Sequence, residues 1–315
     1  MFGDSLEVLD GIKLNFNQGG LIILNITLAF VMFGVALELK IDKFKKVFTR
    51  PKAAIIGIIS QFFLLPILTL ALIVILNPPP SIALGMILVA ACPGGNISNF
   101  ITSMAKGNTE LSVSLTAISD FSALFMTPFN FAFWGSIYAT IYSKGSGLII
   151  PIEIDPIEMF KTMVILLGIP LSIGMVFSHK FPKITSKIIK PIKIASLVIF
   201  ALYVIIALSI NWEYFFRYVH LIFFIVLIHN AIAIGTGFSI ARIFRLKQND
   251  VRTITIETGI QNSGLALVLI FNPKLFNGIG GMAFIAALWG IWHILSGLGI
   301  AAYWSNKPLQ KSINN

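Results

Sequence analysis

Apolar residues dominate the chain in nine long segments, and polar residues are concentrated in the short stretches between them. The segments cover residues 20–38, 53–76, 82–105, 109–142, 158–178, 192–210, 216–242, 252–271 and 280–304. Each is close to the ~20 residues that an α-helix needs to cross a hydrocarbon core of ~30 Å. The pattern predicts an all-α membrane protein with nine transmembrane helices, folded as a single domain over residues 1–315.

Two of these segments, the third and the eighth, are interrupted by glycine and polar residues. The third contains CPGGNISN at residues 92–99, and the eighth contains ETGIQNSG at residues 257–264. Glycine and proline weaken a helix, and a carboxylate such as Glu257 costs roughly 3 kcal/mol at the centre of a membrane helix. We therefore expect both helices to be broken there, so that freed carbonyls and polar side chains line a site. Paired broken helices are typical of transporters.

The order of polar residues along the chain indicates an inverted repeat. Gln61 lies one span before the first break, and His229 and Asn230 lie one span before the second. If the spans alternate in direction, the two broken helices run in opposite senses, as an inverted repeat requires. Because nine is odd, one span is then missing from the first half.

Composition and charge agree with a membrane protein and predict its orientation. The chain is 57% hydrophobic and 11% charged, with a mean hydropathy of +0.90. Its net charge of +10 comes from Lys and Arg between the spans, which argues against nucleic-acid binding. With the N-terminus outside, 18 of the 23 Lys and Arg lie inside, so we expect an external N-terminus and a cytoplasmic C-terminus. The Lys- and Ile-rich composition indicates the cell membrane of a bacterium, its inner membrane.

Missing motifs argue against several other classes of protein. Cys92 is the single cysteine, which excludes an intramolecular disulfide and a cysteine-based metal site. An intramembrane enzyme is disfavoured because the chain contains neither Gly-x-Ser-x-Gly nor His-Glu-x-x-His. A channel is disfavoured because no pore loop is repeated. The fourth span instead carries Ser112, Thr116 and Asp120 on one helical face. Isolated hydroxyls in membrane helices usually bond to their own backbone, but these follow a broken helix, which favours a cation site.

The motifs CPGGNISN, KGNTELSVSLT and IETGIQNSGLA closely resemble the signatures of the bile acid:sodium symporter family, and the similarity extends over residues 24–304. The resemblance implies sodium-coupled symport of an organic anion, either bile acid-like or a small carboxylate, by alternating access and without an organic cofactor. It also implies two crossing discontinuous helices in a core formed by residues 53–142 and 216–304. A panel formed by residues 20–38, 158–178 and 192–210 would move against this core.

The resemblance also implies two sodium sites that share one carboxylate. The first would use Ser98, Asn99, Ser112, Thr116 and Glu257. The second would use Gln61, Glu257, the carbonyls of Thr258 and Ile260, and the side chain of Gln261. Hard cations prefer oxygen ligands, and every one of these residues offers an oxygen. Two Na⁺ ions on one carboxylate leave about one positive charge unmatched, which suits an anionic substrate.

By the same resemblance, the substrate would contact Gly95, Asn96, Asn262 and His293 near the crossing of the broken helices. Freed N–H groups of Gly95 and Asn96 could bind a carboxylate at the start of a half-helix. The family usually has Asn after this histidine, whereas this chain has Ile294. It usually has a small hydroxyl residue at the position of Asp120. That aspartate is either a neutral or paired carboxyl or an extra ion or proton site. The second reading leaves a proton-coupled transporter or exporter on the same fold as the alternative.

Overall fold

The computed structural model describes residues 9–12, 18–38, 51–146, 155–210 and 212–307, and these are almost entirely α-helical. The principal helices are α1 (Gln18–Glu38), α2 (Pro51–Leu76), α3 (Pro80–Ala91), α4 (Ile97–Met104), α5 (Thr109–Ser146), α6 (Pro156–Lys180), α7 (Pro182–Ile210), α8 (Trp212–Ile243), α9 (Gln248–Gly259), α10 (Ser263–Phe271) and α11 (Gly280–Ser305). β-structure within these ranges is limited to one isolated bridge.

The helices follow the apolar segments of the sequence. Seven segments fall on one helix each, whereas the third falls on α3 and α4 and the eighth on α9 and α10. In the described ranges, α2, α6, α11 and residues Ile222–Ile243 of α8 are long and apolar enough to cross a membrane. Seven of the Lys and Arg counted for the orientation lie outside the described residues: Lys13, Lys40, Lys43, Lys45, Lys46, Arg50 and Lys311.

The outer face of α5 carries a stripe of phenylalanines suited to lipid. Phe121, Phe125, Phe129 and Phe133 are spaced by four residues, and between 47% and 63% of each is exposed. Such a spacing places the four rings on one side of the helix. A continuous aromatic stripe is costly in water but favourable against hydrocarbon, so this face of α5 fits a bilayer environment.

A proline widens α2 next to the predicted site residue Gln61. Residues Ser60–Leu64 form a π-helical turn immediately before Leu65 and Pro66. Because Pro66 has no N–H, it cannot bond to the carbonyl of Phe62. Asn130 of α5 donates to that carbonyl instead, from Nδ2 at 2.9 Å. The turn is therefore held from the neighbouring helix, and π-helical turns of this kind often occur at functional sites.

The helices pack in two groups. Helix α1 packs against α6 and α7, whereas the others pack mainly among themselves. Helix α6 approaches α1 closely because Gly174 has no side chain: a Cβ there would lie 2.4 Å from the Cβ of Ala36. In the second group, every residue of α3 and α10 is buried. One half of each broken span therefore lies in the protein interior.

Charged and polar groups hold the two ends of this second group. At one end, Asp10 Oδ1 accepts from Ser81 N at the start of α3 (2.9 Å), and Ile12 O accepts from Gly280 N at the start of α11 (2.7 Å). At the other end, the buried Arg252 donates to the carbonyls of Ala105, Trp304 and Lys307 at 2.8, 3.2 and 3.1 Å. An anion at helix N-termini and a cation at helix C-termini both complement the helix dipole.

Replacing Arg252 with lysine should lower the free energy of unfolding by about 2 kcal/mol, because an ammonium lacks the planar fork that reaches several carbonyls at once. The measurement is thermal unfolding of the detergent-purified protein. Arg245→Lys, at an exposed position just after α8, is the matched control. Equal melting temperatures for the two variants would contradict a stabilising role for the Arg252 contacts.

Candidate functional site

The two broken helices meet in the middle of the second helix group. Gly95 N donates to Ile260 O at 2.8 Å, and Asn262 N donates to Pro93 O at 2.8 Å. These bonds form an antiparallel bridge between Gly94 and Gln261. Buried backbone groups must find partners, and here each break supplies the partners that the other lacks. The crossing of α3–α4 with α9–α10 is thus fixed by the backbone itself.

One detail of the sequence-based expectation is wrong. The N–H of Gly95 was expected to be free for a substrate carboxylate, but it is bonded to Ile260 O. Pairing between the two breaks takes up this donor, and the pairing depends on a contact between residues far apart in the chain. Asn96, which begins α4 with helical backbone angles, keeps its side-chain oxygen buried and without a partner among the described residues.

The residues predicted for the first sodium site lie together around the carboxylate of Glu257. Ser98 Oγ donates to Oε1 at 2.7 Å, Ser112 Oγ also donates to Oε1, and Thr116 Oγ1 donates to Oε2 at 3.1 Å. Asn99 Oδ1 accepts from Ser112 Oγ at 2.9 Å. All five residues are buried and belong to α4, α5 and α9. A hydroxyl that donates to a carboxylate also has lone pairs that it can turn towards a cation.

The residues predicted for the second sodium site form an amide pair beside the same carboxylate. Gln61 Nε2 donates to Gln261 Oε1 (2.6 Å) and to Cys92 O (2.9 Å). Gln261 Nε2 donates to Thr258 O (2.7 Å) and to Gln61 Oε1 (3.2 Å). Ile260 O, the remaining member of the predicted site, is the acceptor for Gly95 N.

A small cavity of about 10 Å³ lies next to this amide pair. Its polar lining comes from Gln61, Ser119 and Glu257, and Gly94 leaves room for it. The volume matches one water molecule or one small ion. No group of three or more His, Cys, Asp or Glu able to hold a metal ion occurs in the described part of the chain. The groups around Glu257 are neutral oxygens and a single carboxylate. Oxygen donors of this kind suit a hard cation.

Two further residues predicted to contact substrate carry buried polar atoms without partners. Asn262 Oδ1 accepts from Leu265 N at 3.0 Å, but its Nδ2 has no partner within the described residues, and the same holds for Nδ1 of His293. His293 shares one face of α11 with Gly290 and Gly297, and a Cβ at these glycines would meet Ser263 and Ile260. That face of α11 therefore packs on the second break. Unsatisfied buried groups are costly, and a bound ligand could satisfy them.

Asn230, Ser296 and Thr127, which the sequence did not single out for a site, help Gln61 to hold the ends of the half-helices. Asn230 Nδ2 donates to Gly259 O at 2.8 Å, and Ser296 Oγ donates to Asn230 Oδ1 at 2.6 Å. In the first half, Gln61 donates to Cys92 O, and Thr127 Oγ1 donates to Ala91 O at 2.8 Å. Each break is thus held by an amide from the preceding span. A hydroxyl from the following span bonds to the first break directly and to the Asn230 amide at the second. The polar pair at residues 229–230 was the sequence signal for this arrangement in the second half.

If Na⁺ occupies the predicted sites, Asn230→Leu should lower its affinity about tenfold, because Asn230 holds Gly259 O in place at the break that carries the predicted ligands. The measurement is a Na⁺ titration of thermal stability. Ser296→Ala keeps the Asn230 amide and its bond to Gly259 O, so it should have a smaller effect. An unchanged titration in Asn230→Leu would show that the clamp on Gly259 does not influence ion binding.

Comparison with known proteins finds relatives that are named as sodium-dependent transporters and cotransporters. A model described as the sodium bile acid symporter family matches residues 25–217. The chain is 33% identical over 291 residues to the uncharacterized sodium-dependent transporter YocS of Bacillus subtilis (strain 168), covering 91% of this chain and 84% of that protein. It is 30% identical over 258 residues to the human ileal sodium/bile acid cotransporter, covering 81% of this chain and 71% of that protein. A probable chloroplastic sodium/metabolite cotransporter, BASS2 of rice, is 28% identical over 287 residues, covering 90% of this chain and 64% of that protein.

Proposed function

This chain belongs to the sodium bile acid symporter family, and from that premise we propose that it carries an organic anion across a membrane together with two Na⁺ ions. Sodium-dependent transporters and cotransporters make up its named relatives, and its apolar helices agree with a multi-pass membrane protein. Beyond family membership, we propose the number of ions, the residues that bind them and the class of substrate.

The observation that carries the proposal is the position of Glu257. Its carboxylate lies where the two breaks cross and accepts from three hydroxyls on α4 and α5. We assign the first Na⁺ to Ser98, Asn99, Ser112, Thr116 and Glu257. We assign the second to Gln61, Glu257, Gln261 and the carbonyls of Thr258 and Ile260, next to the small cavity. Both ions would displace hydrogen bonds that now join these groups to one another.

Ion binding on this carboxylate would control the arrangement of the broken helices. Glu257 lies on α9, in the second half of the chain, whereas its hydroxyl donors lie on α4 and α5, in the first half. Na⁺ between them would hold the two halves in one arrangement and complete the substrate site, so binding of ion and anion becomes coupled and reciprocal. In this mechanism α1, α6 and α7 form the panel, and the helices carrying the breaks form the core.

The substrate site belongs beside the breaks, where Asn96, Asn262 and His293 keep polar atoms free. Two Na⁺ ions on one carboxylate attract an anion, and amide and imidazole groups can hydrogen-bond to a carboxylate. A bile acid-like anion and a small carboxylate both satisfy these groups. We place the protein in a bacterial inner membrane as nine spans, with the N-terminus outside and the C-terminus in the cytoplasm.

Thermal unfolding of the detergent-purified protein in NaCl and in KCl, with and without a panel of organic anions, tests the function. A ligand at 100 times its Kd stabilises the folded state by about 2.7 kcal/mol. We expect a rise specific to Na⁺ that one class of anion increases further. Equal unfolding in NaCl and KCl, with no response to any anion, would refute the assignment. A shift that follows pH alone would support the proton-coupled alternative.

A further inference from the structure

Asp120 is a second buried carboxylate that the two proposed ions do not use. It lies on α5, one turn after Thr116, and its side chain is fully buried. Neither carboxylate oxygen has a hydrogen-bond partner in the described structure. An unpaired charge in a membrane interior is among the most costly groups a protein can bury. Such a group needs a ligand that supplies positive charge.

The surroundings of Asp120 add negative charge. Thr116, one turn before Asp120 on α5, donates to Glu257 Oε2 at 3.1 Å, so the second buried carboxylate lies in the same region. Two carboxylates thus lie along the same part of α5 at membrane depth, which favours a bound cation.

We propose that Asp120 binds a third Na⁺ ion, next to the two ions held by Glu257. This inference rests on the proposed function and deepens it. Ser119 Oγ offers a further oxygen: a Cβ at Gly94 would lie 3.7 Å from Ser119 Oγ and 3.4 Å from Glu257 Oε2. The hydroxyl beside Asp120 and the Glu257 carboxylate therefore face the same glycine, where no side chain separates them.

A metal cation fits the two open oxygens of Asp120. Neither of them accepts a hydrogen bond from the described residues. A Na⁺ ion contacts carboxylate oxygens directly and could use both.

Charge balance calls for a cation at an ionised Asp120. Two Na⁺ ions with Glu257 and an ionised Asp120 would be neutral overall and would attract an anion only weakly. A third Na⁺ restores one positive charge next to the substrate. The site would then suit the same class of anion as a two-ion site with a single carboxylate.

Counting bound ions tests this inference. Equilibrium dialysis of the purified full-length protein against radioactive Na⁺ at saturation should give three ions per chain, and Asp120→Asn should give two. Asp155→Asn removes a carboxylate from the exposed start of α6 and should leave the count at three. Glu257→Gln should lose the two ions assigned to Glu257.

The outcomes separate this inference from the proposed function. If the wild type and Asp120→Asn both bind two ions while Glu257→Gln binds none, the two-ion function stands and the third site is wrong. The same conclusion follows if Asp120→Asn changes proton uptake without changing the ion count. If the wild type binds no Na⁺, both proposals fail. Loss of one ion in Asp120→Asn, with a melting temperature in KCl equal to or above that of the wild type, would support the third site.

Discussion

Glu257→Gln should abolish the stabilisation of the protein by Na⁺ while leaving the fold intact. Glutamine keeps the size of the side chain and can still accept from Ser98 and Ser112, so it removes little besides the charge. An ion pair at 4 Å is worth about 4 kcal/mol at an effective dielectric constant of 20, which corresponds to roughly a thousandfold in affinity. Because both proposed sodium sites share this carboxylate, both should be lost together.

The same substitution separates a functional carboxylate from a structural one. Without Na⁺, the buried charge of Glu257 is a cost to the folded state. We therefore expect Glu257→Gln to melt in KCl at the same temperature as the wild type or higher. Thermal unfolding in NaCl and KCl measures both effects, and Glu158→Gln, near Lys161 and Lys274, is the control. A Na⁺ response of normal size in Glu257→Gln would overturn the assignment of both sites.

The sequence predicted the helices and the two breaks because both depend on local signals, whereas the grouping of residues around Glu257 came from the family resemblance. Long apolar segments give membrane helices, and glycine next to polar residues at membrane depth marks a break. The start of α7 was less predictable: it begins at Pro182, whereas the apolar segment begins at residue 192. The lysines between these positions do not prevent a helix, but they hide it from a pattern based on hydropathy.

Contacts between distant parts of the chain could not be predicted from the sequence. Arg252 counted only as a basic residue at the inner end of a span, yet it is buried and bonded to three carbonyls on other segments. Backbone carbonyls leave no signal in a sequence, so partners of this kind are visible only in three dimensions. The bond between Gly95 N and Ile260 O escaped prediction for the same reason.

The absence of partners for Asp120 could not be predicted either. A carboxylate in an apolar span is equally compatible with a salt bridge, a capped helix end or an ion site. Helix periodicity predicted that Asp120 shares a helical face with Ser112 and Thr116. It could not predict that Asp120 would lack a hydrogen-bond donor, or that a second carboxylate, Glu257, would lie in the same region. Among the described residues, the structure shows neither a salt bridge nor a hydrogen-bond donor for Asp120.

Gly95→Ala should disrupt the crossing of the broken helices and lower the free energy of unfolding by about 1–3 kcal/mol. A Cβ at Gly95 would lie 2.9 Å from Gln261 O, a backbone atom that cannot move without disturbing the second break. Gly95 does not have a positive φ, since Gly278 is the one described glycine that does. The need for glycine at residue 95 therefore comes from the close approach to Gln261 O. The methyl group would push the two chain segments apart and weaken the bonds of Gly95 N and Asn262 N.

The loss should appear in ion binding as well as in stability. Separating the breaks moves α4 away from α9, and therefore moves Ser98 away from Glu257. We expect weaker stabilisation by Na⁺, measured by thermal unfolding in NaCl and KCl. Gly299→Ala makes the same chemical change on α11, where a Cβ would meet nothing within 4 Å, and should leave both properties unchanged or slightly raise the stability. If Gly95→Ala behaved like Gly299→Ala, the backbone bridge would not be what holds the ion site together.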